Sequence, residues 1–211
     1  MNRIILGLLM MASSLSAQAV LIGPSNSGGD CTFPCVTRIQ QVYDSSYFNS
    51  AIDISAINFF ATSALNLNAT YDIYIGYASG DYTSVTTDFS ANIGASYQLF
   101  GSENFSQSFL AGETIGFSGL FEYDSAQGDL LIDIIRSNEN GANSGSMAAS
   151  RGLNISRAYE WHDGRVFNNV GYGISTEFVG SSVSVVPEPS SIALLGLGLA
   201  GLGFSRRKAI A

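Results

Sequence analysis

The sequence predicts an all-β body, a β-sandwich or jelly-roll-like fold, flanked by an N-terminal signal peptide and a C-terminal transmembrane helix. Three observations carry this. Apolar residues in the body recur at every second position, the period of a half-buried strand. Short Gly- and Asn-containing breaks separate those runs, and such residues tolerate the left-handed turns that hairpins need. Each end of the chain carries an uncharged apolar run with basic residues on one side, while the body shows no sustained helical periodicity with caps.

The chain begins with Arg3, an apolar run Ile4 to Met11, and a small, polar stretch ending in Ala17-Gln18-Ala19. That order is a secretory signal peptide, residues 1–19, cut after Ala19. Its apolar run is too short to span a bilayer comfortably.

Residues 20–185 read as one exported domain, long enough to bury a core and divided by no Pro-rich or charged linker. Ile52 to Ala61 alternates at first, with Ile52, Ile54 and Ala56 on one side, and turns apolar on both faces near Phe59 and Phe60. In the run from Ala69, Tyr71, Ile73, Ile75 and Tyr77 share a face. Ile115 and Phe117, then Phe121 and Tyr123, mark another strand. Leu130, Ile132 and Ile134 lie opposite Leu131, Asp133 and Ile135 in the next, and at least one more follows from Arg165. Turns fall at Ala78 to Asp81, Ser125 to Gly128 and Asn138 to Gly141, and Ser144 to Gly152 reads as a flexible loop.

The two cysteines, Cys31 and Cys35, are expected to form a structural disulfide pinning a local turn. Their spacing has one residue too many for a redox C-x-x-C pair, and His162 is the only histidine to extend a metal set. The body holds five arginines, no lysine and sixteen acids, a net charge of −11. Such a surface repels phosphate backbones, so no nucleic-acid partner is expected.

No catalytic set stands out. A Ser-His-Asp triad has to use His162, and Asp163 follows it so closely that a strand sends the two side chains to opposite faces. Sixteen acids make some carboxylate pair at glycosidase spacing a matter of chance. Oxygen-rich segments at Asp124 to Asp129 and Asn138 to Asn143 fall short of a calcium loop and read as turns. No cofactor or resident metal is expected. Trp161, the only tryptophan, is a core residue of a sandwich on one reading. On the other, it shares a strand face with Tyr159 and offers aromatic rings to the apolar faces of sugars.

After the body comes Val186-Pro187-Glu188-Pro189, extended and unable to continue a sheet ladder. Ser190 to Phe204 carries no charge; as a helix it is about 22 Å long, short of the ~30 Å hydrocarbon core but able to insert with snorkelling and bilayer thinning. Arg206, Arg207 and Lys208 then stay cytoplasmic, as the positive-inside rule requires. Gly196, Gly198 and Gly201 match a dinucleotide fingerprint only in letters, because no acidic residue follows at the required distance. Small residues in a membrane helix explain them.

Pro-Glu-Pro, an apolar Gly/Leu segment and a basic end, in that order over residues 186–208, resemble the PEP-CTERM sorting signal. The resemblance implies a Gram-negative bacterium and an exosortase-type processing enzyme that recognises Pro187, Glu188 and Pro189. It implies passage through the inner membrane, a transient membrane-anchored stage, and a final place at the cell surface or in the extracellular matrix, linked to exopolysaccharide and biofilm. Phe121 to Ile134 also resembles a strand-turn-strand of exported PEP-CTERM proteins with jelly-roll-like domains. The expected function is therefore a non-enzymatic surface or matrix protein with weak polysaccharide affinity. The rival readings are a secreted hydrolase of matrix glycans and a self-assembling surface protein.

Overall fold

A computed structural model describes residues 17–139 and 141–183. The body is all-β, built from two antiparallel sheets. Ten strands run in order: β1 (Ala17–Ile22), β2 (Val36–Tyr43), β3 (Ile52–Phe60), β4 (Leu65–Tyr77), β5 (Gln98–Phe109), β6 (Thr114–Tyr123), β7 (Leu130–Ser137), β8 (Ala149–Trp161), β9 (Val166–Ile174) and β10 (Thr176–Ser182). One sheet has the order β1-β10-β3-β6 and the other β5-β4-β7-β2-β8-β9. The pairings are nested: β4 with β5, β3 with β6, β2 with β7, and β1 with β10. The β8–β9 hairpin is an addition at the free side of β2. In the β1–β10 pair, Ala17 lies opposite Ser181 and Ile22 opposite Thr176.

Alternation builds the core. Tyr71, Ile73, Ile75 and Tyr77 of β4 are all buried, as are Ile115, Phe117, Phe121 and Tyr123 of β6. Rings from the two sheets meet edge to face, Tyr43 against Phe178 at 5.0 Å between centroids. β3 departs from the expected phase: Ile52 and Ile54 point inward, but Ile57 and Phe59 follow them rather than Ala56. Against β10, β3 carries one extra residue, Ser55, between Ile54 and Ala56, and this β-bulge flips the alternation beyond it. Strands β5 and β6, at matching edges of the two sheets, approach so closely that a Cβ on Gly119 would meet the Phe100 carbonyl oxygen.

Ser144 to Gly152, expected as a flexible loop, is ordered. Met147 is fully buried, bridges Asp30 and Ala61 through the backbone, and leads straight into β8. Burying a large side chain there outweighs the small, polar composition around it.

The outer face of the six-stranded sheet is also covered. Leu131 and Asp133 of β7, on the face opposite the main core, are buried. The segment 78–97 lies over them: Val85, Phe89, Ile93 and Tyr97 pack around Val42, Leu131 and Ala158. Asp133 accepts hydrogen bonds from Arg38, Gln40 and Tyr97. Three short 3-10 turns are each opened by an aspartate, Asp44, Asp81 and Asp124, whose carboxylate accepts a backbone N–H two residues on.

Among the described residues no helix is long and apolar enough to cross a membrane. Residues 1–16 and 184–211 lie outside the described residues. With them lie the expected transmembrane helix, the sorting residues Pro187, Glu188 and Pro189, and the basic residues Arg206, Arg207 and Lys208.

Candidate functional site

Strand β8 carries Ile155, Arg157 and Tyr159 opposite Tyr43, Gln41 and Ile39 of β2, so all three share the inward face of the large sheet. The segment from Gly29 to Val36 and this face of β8 enclose a pocket of about 210 Å³. Its walls include Asp30, Cys31, Thr32, Arg157, Tyr159 and Trp161.

The pocket floor is an ion pair. Arg157 Nη2 donates to Asp30 Oδ2 at 2.9 Å, and Tyr172 Oη donates to the same oxygen at 2.7 Å. Thr32 Oγ1 donates to the other oxygen at 2.7 Å. Burial pushes the Asp30 carboxyl up, but the hydrogen bond and charge of Arg157, with help from Tyr172 and Thr32, outweigh it and hold the group below its ordinary value. Burial, then the hydrogen bond to Asp30, raises the Tyr172 phenol. The Arg157 guanidinium lies against two rings, 4.3 Å from the centroid of Tyr172 and 4.7 Å from that of Tyr159.

Above the floor, Tyr159 and Trp161 meet edge to face at 6.3 Å, and Phe167 of β9 stacks on Tyr159 at 5.7 Å. Trp161 is half-buried at the rim and belongs to neither buried core cluster. Trp161 therefore lies outside the sandwich core.

Cys31 and Cys35 are disulfide-bonded, with Cα atoms 5.4 Å apart, and Cys31 forms part of the pocket wall. Their loop is held from behind as well. Phe33 is buried between Phe59, Tyr71 and Phe117, and Arg136 Nη1 donates to the Pro34 carbonyl at 2.7 Å. Burial lifts the Tyr71 phenol to about 12.

Other sequence candidates are not brought together. His162 is exposed, its Nδ1 3.4 Å from the Cys35 carbonyl oxygen. The Asp163 carboxylate takes the backbone N–H and Nε of Arg165 instead. Asp124 caps its own turn, while Asp129 accepts from the Ser45 and Tyr82 backbone N–H groups. Asn143 accepts from the Asn68 backbone. Among the described residues, no group of three or more His, Cys, Asp or Glu is placed to hold a metal ion.

A larger, open groove of about 790 Å³ crosses the outer face of the small sheet. Asp53, Ser55, Gln98, Leu120, Glu122 and Ser181 line it. Asp53 of β3 and Glu122 of β6 are directly opposed across the ladder.

Sequence reasoning missed Asp30, Arg157 and Tyr172. One signal was present: Arg157, Tyr159 and Trp161 alternate, so a strand places all three on one face. Nothing local links Asp30 to them, because the contact closes over more than a hundred residues.

No curated protein sequence is significantly similar to the chain. Two solved structures are similar to it in part. One is of the Gx strain of infectious bursal disease virus, at 12% identity and a TM-score of 0.30, covering 86% of this chain and 44% of that one. The other is of the T13 IBDV viral particle, at 9% identity and a TM-score of 0.27, covering 90% and 45%. The chain thus spans less than half the length of either. The last finding concerns the end of the chain: residues 185–208 match the PEP-CTERM protein-sorting motif, and the chain carries this signal for export and exosortase processing in Gram-negative bacteria.

Proposed function

We propose that this is a non-enzymatic cell-surface or extracellular-matrix protein whose body binds polysaccharide weakly through the pocket at Asp30, Arg157, Tyr159 and Trp161. Residues 1–19 serve as a cleaved signal peptide and start export through the inner membrane. Ser190 to Phe204 then anchors the precursor, with Arg206, Arg207 and Lys208 on the cytoplasmic side, until an exosortase-type enzyme acts at Pro187, Glu188 and Pro189. The nested strand pairing is that of a jelly roll enlarged by the β8–β9 hairpin, an architecture that places binding sites on a rigid frame.

The observation that carries the binding reading is the Tyr159–Trp161 pair standing over a polar, hydrogen-bonded floor. Rings cover the apolar face of a sugar, and carboxylate, guanidinium and hydroxyl groups bond its edge. The test is co-sedimentation of the full-length protein, in a sugar-free detergent, with insoluble bacterial exopolysaccharide. Retention that falls at least severalfold in Trp161→Ala, with the polymer recovered at full length, is the expected result. Equal retention of the variant refutes the assignment.

The rival hydrolase reading draws on one observation, the Asp53–Glu122 pair in the large groove. Directly opposed residues on antiparallel strands have Cβ atoms about 4.5–5.5 Å apart. Retaining glycosidases hold their carboxyls about 5 Å apart. Release of reducing ends that disappears in Glu122→Gln would establish this reading in place of the first.

A further inference from the structure

We infer that the pocket between Asp30 and Trp161 accepts a neutral glycan segment and discriminates against acidic ones, an inference that rests on the reading of this pocket as a glycan site. An acidic sugar needs a cation with unused capacity. Arg157, the guanidinium in the pocket wall, is already paired with Asp30, and three of its five N–H donors have protein partners. Its Nη2 bonds Asp30, its Nη1 reaches Thr32 Oγ1 at 3.4 Å, and its Nε reaches Asn169 Oδ1 at 3.4 Å. Two tyrosine rings, Tyr159 and Tyr172, also lie against it. The side chain is only 6% exposed, so it cannot swing out to meet a ligand without breaking the pair.

The surroundings agree. Arg165 at the hairpin tip is bound to Asp163 at 2.7 Å. The pocket lining holds one cation and one anion, Arg157 and Asp30, and they are paired with each other. The site is therefore neutral as a unit, set in a body of net charge −11 that repels polyanions from a distance. A uronic acid carboxylate entering the pocket would meet the Asp30 oxygens and an Arg157 whose charge Asp30 already offsets. A neutral hexose meets only groups it can satisfy: an acceptor carboxylate, hydroxyls and two aromatic surfaces.

The two contributions differ in range. The field of the body is screened by salt, whereas contact with Asp30 at hydrogen-bond distance is not. Discrimination that originates in the pocket must therefore survive high ionic strength.

The experiment titrates the full-length chain, in a sugar-free zwitterionic detergent, with a panel of neutral hexasaccharides of glucose, mannose and galactose, and with hexagalacturonate. Emission from Trp161, the only tryptophan, is the readout. The expected result is saturable binding of at least one neutral hexasaccharide and binding of hexagalacturonate about tenfold weaker or worse. The ratio should hold at about 1 M salt, where the screening length is about 3 Å. In Asp30→Asn, which leaves Arg157 uncompensated, the ratio should move toward the acidic sugar. Hexagalacturonate binding as tightly as the neutral sugars overturns the inference and leaves the glycan reading in place. So does a preference that vanishes in salt, since it would belong to the body's charge. Silence of the whole panel overturns both. The wild-type salt series decides the matter even where Asp30→Asn does not fold.

Discussion

The Arg38 guanidinium of β2, 26% exposed, holds the fully buried Asp133 carboxylate of β7 with two hydrogen bonds, at 3.0 and 2.5 Å, on the face that the segment 78–97 covers. The guanidinium also lies 4.5 Å from the Phe89 ring centroid, so it ties that segment to the sheet. Breaking a buried pair by removing one partner leaves an uncompensated charge. Arg38→Met should therefore cost about 3 kcal/mol, read as a lower urea midpoint. A loss below about 1 kcal/mol would mean that Gln40 and Tyr97 suffice to hold Asp133.

The disulfide loop is secured twice, and the two restraints are separable. Closing so short a loop constrains the unfolded chain by about 2 kcal/mol. Phe33, buried among three rings, is a large-to-small target whose removal costs about 3–5 kcal/mol. The Cys31→Ser/Cys35→Ser double variant should thus unfold at a higher denaturant concentration than Phe33→Ala. The reverse order would make the covalent link the main restraint.

Acid should weaken the pocket floor in a defined direction. Asp30 has a folded value depressed below its ordinary 3.8, the net result of burial raising it and the Arg157, Tyr172 and Thr32 contacts lowering it. A group of this kind contributes stability that is fully present above the unfolded value and is lost as pH falls through the folded one. The wild-type melting temperature should therefore drop, below about pH 4, more steeply than that of Asp30→Asn. Parallel curves would show that the ion pair adds nothing to folding.

Sorting can be tested without reference to the body. Alanine at Pro187, Glu188 and Pro189 together should leave full-length precursor in the membrane fraction of a host that has an exosortase. Unchanged maturation of that triple variant would defeat the assignment of the recognition element.

Strand interiors were legible in the sequence because alternation alone sorts their faces. Tyr71, Ile73 and Ile75 needed no tertiary knowledge. The failures have tertiary causes. The bulge in β3 at Ser55 exchanged Ala56 for Ile57 on the inward face, and no local residue announces it. Asp133 reads as an outward polar residue until the segment 78–97 closes over it and Arg38 arrives from another strand. Tyr159 and Trp161 were visible as a pair on one face, whereas Asp30 was not, since its contact to Arg157 bridges distant stretches of chain. The terminal motif was fully legible, because its order of residue types is itself the signal.

The pairing of Ala17 with Ser181 gives the body an order of completion. A polypeptide that crosses a membrane from its amino end delivers β1 first and β10 last, yet β1 has no other ladder to join. The opening strand must wait, unzipped, for the closing one. The proposed cut after Ala19 would remove half of β1, and a peptidase would have that bond in reach only during the wait. Because Pro187 follows Ser182 by only a few positions, the proposed halt of translocation would come at nearly the same moment as the final buckle of the sandwich.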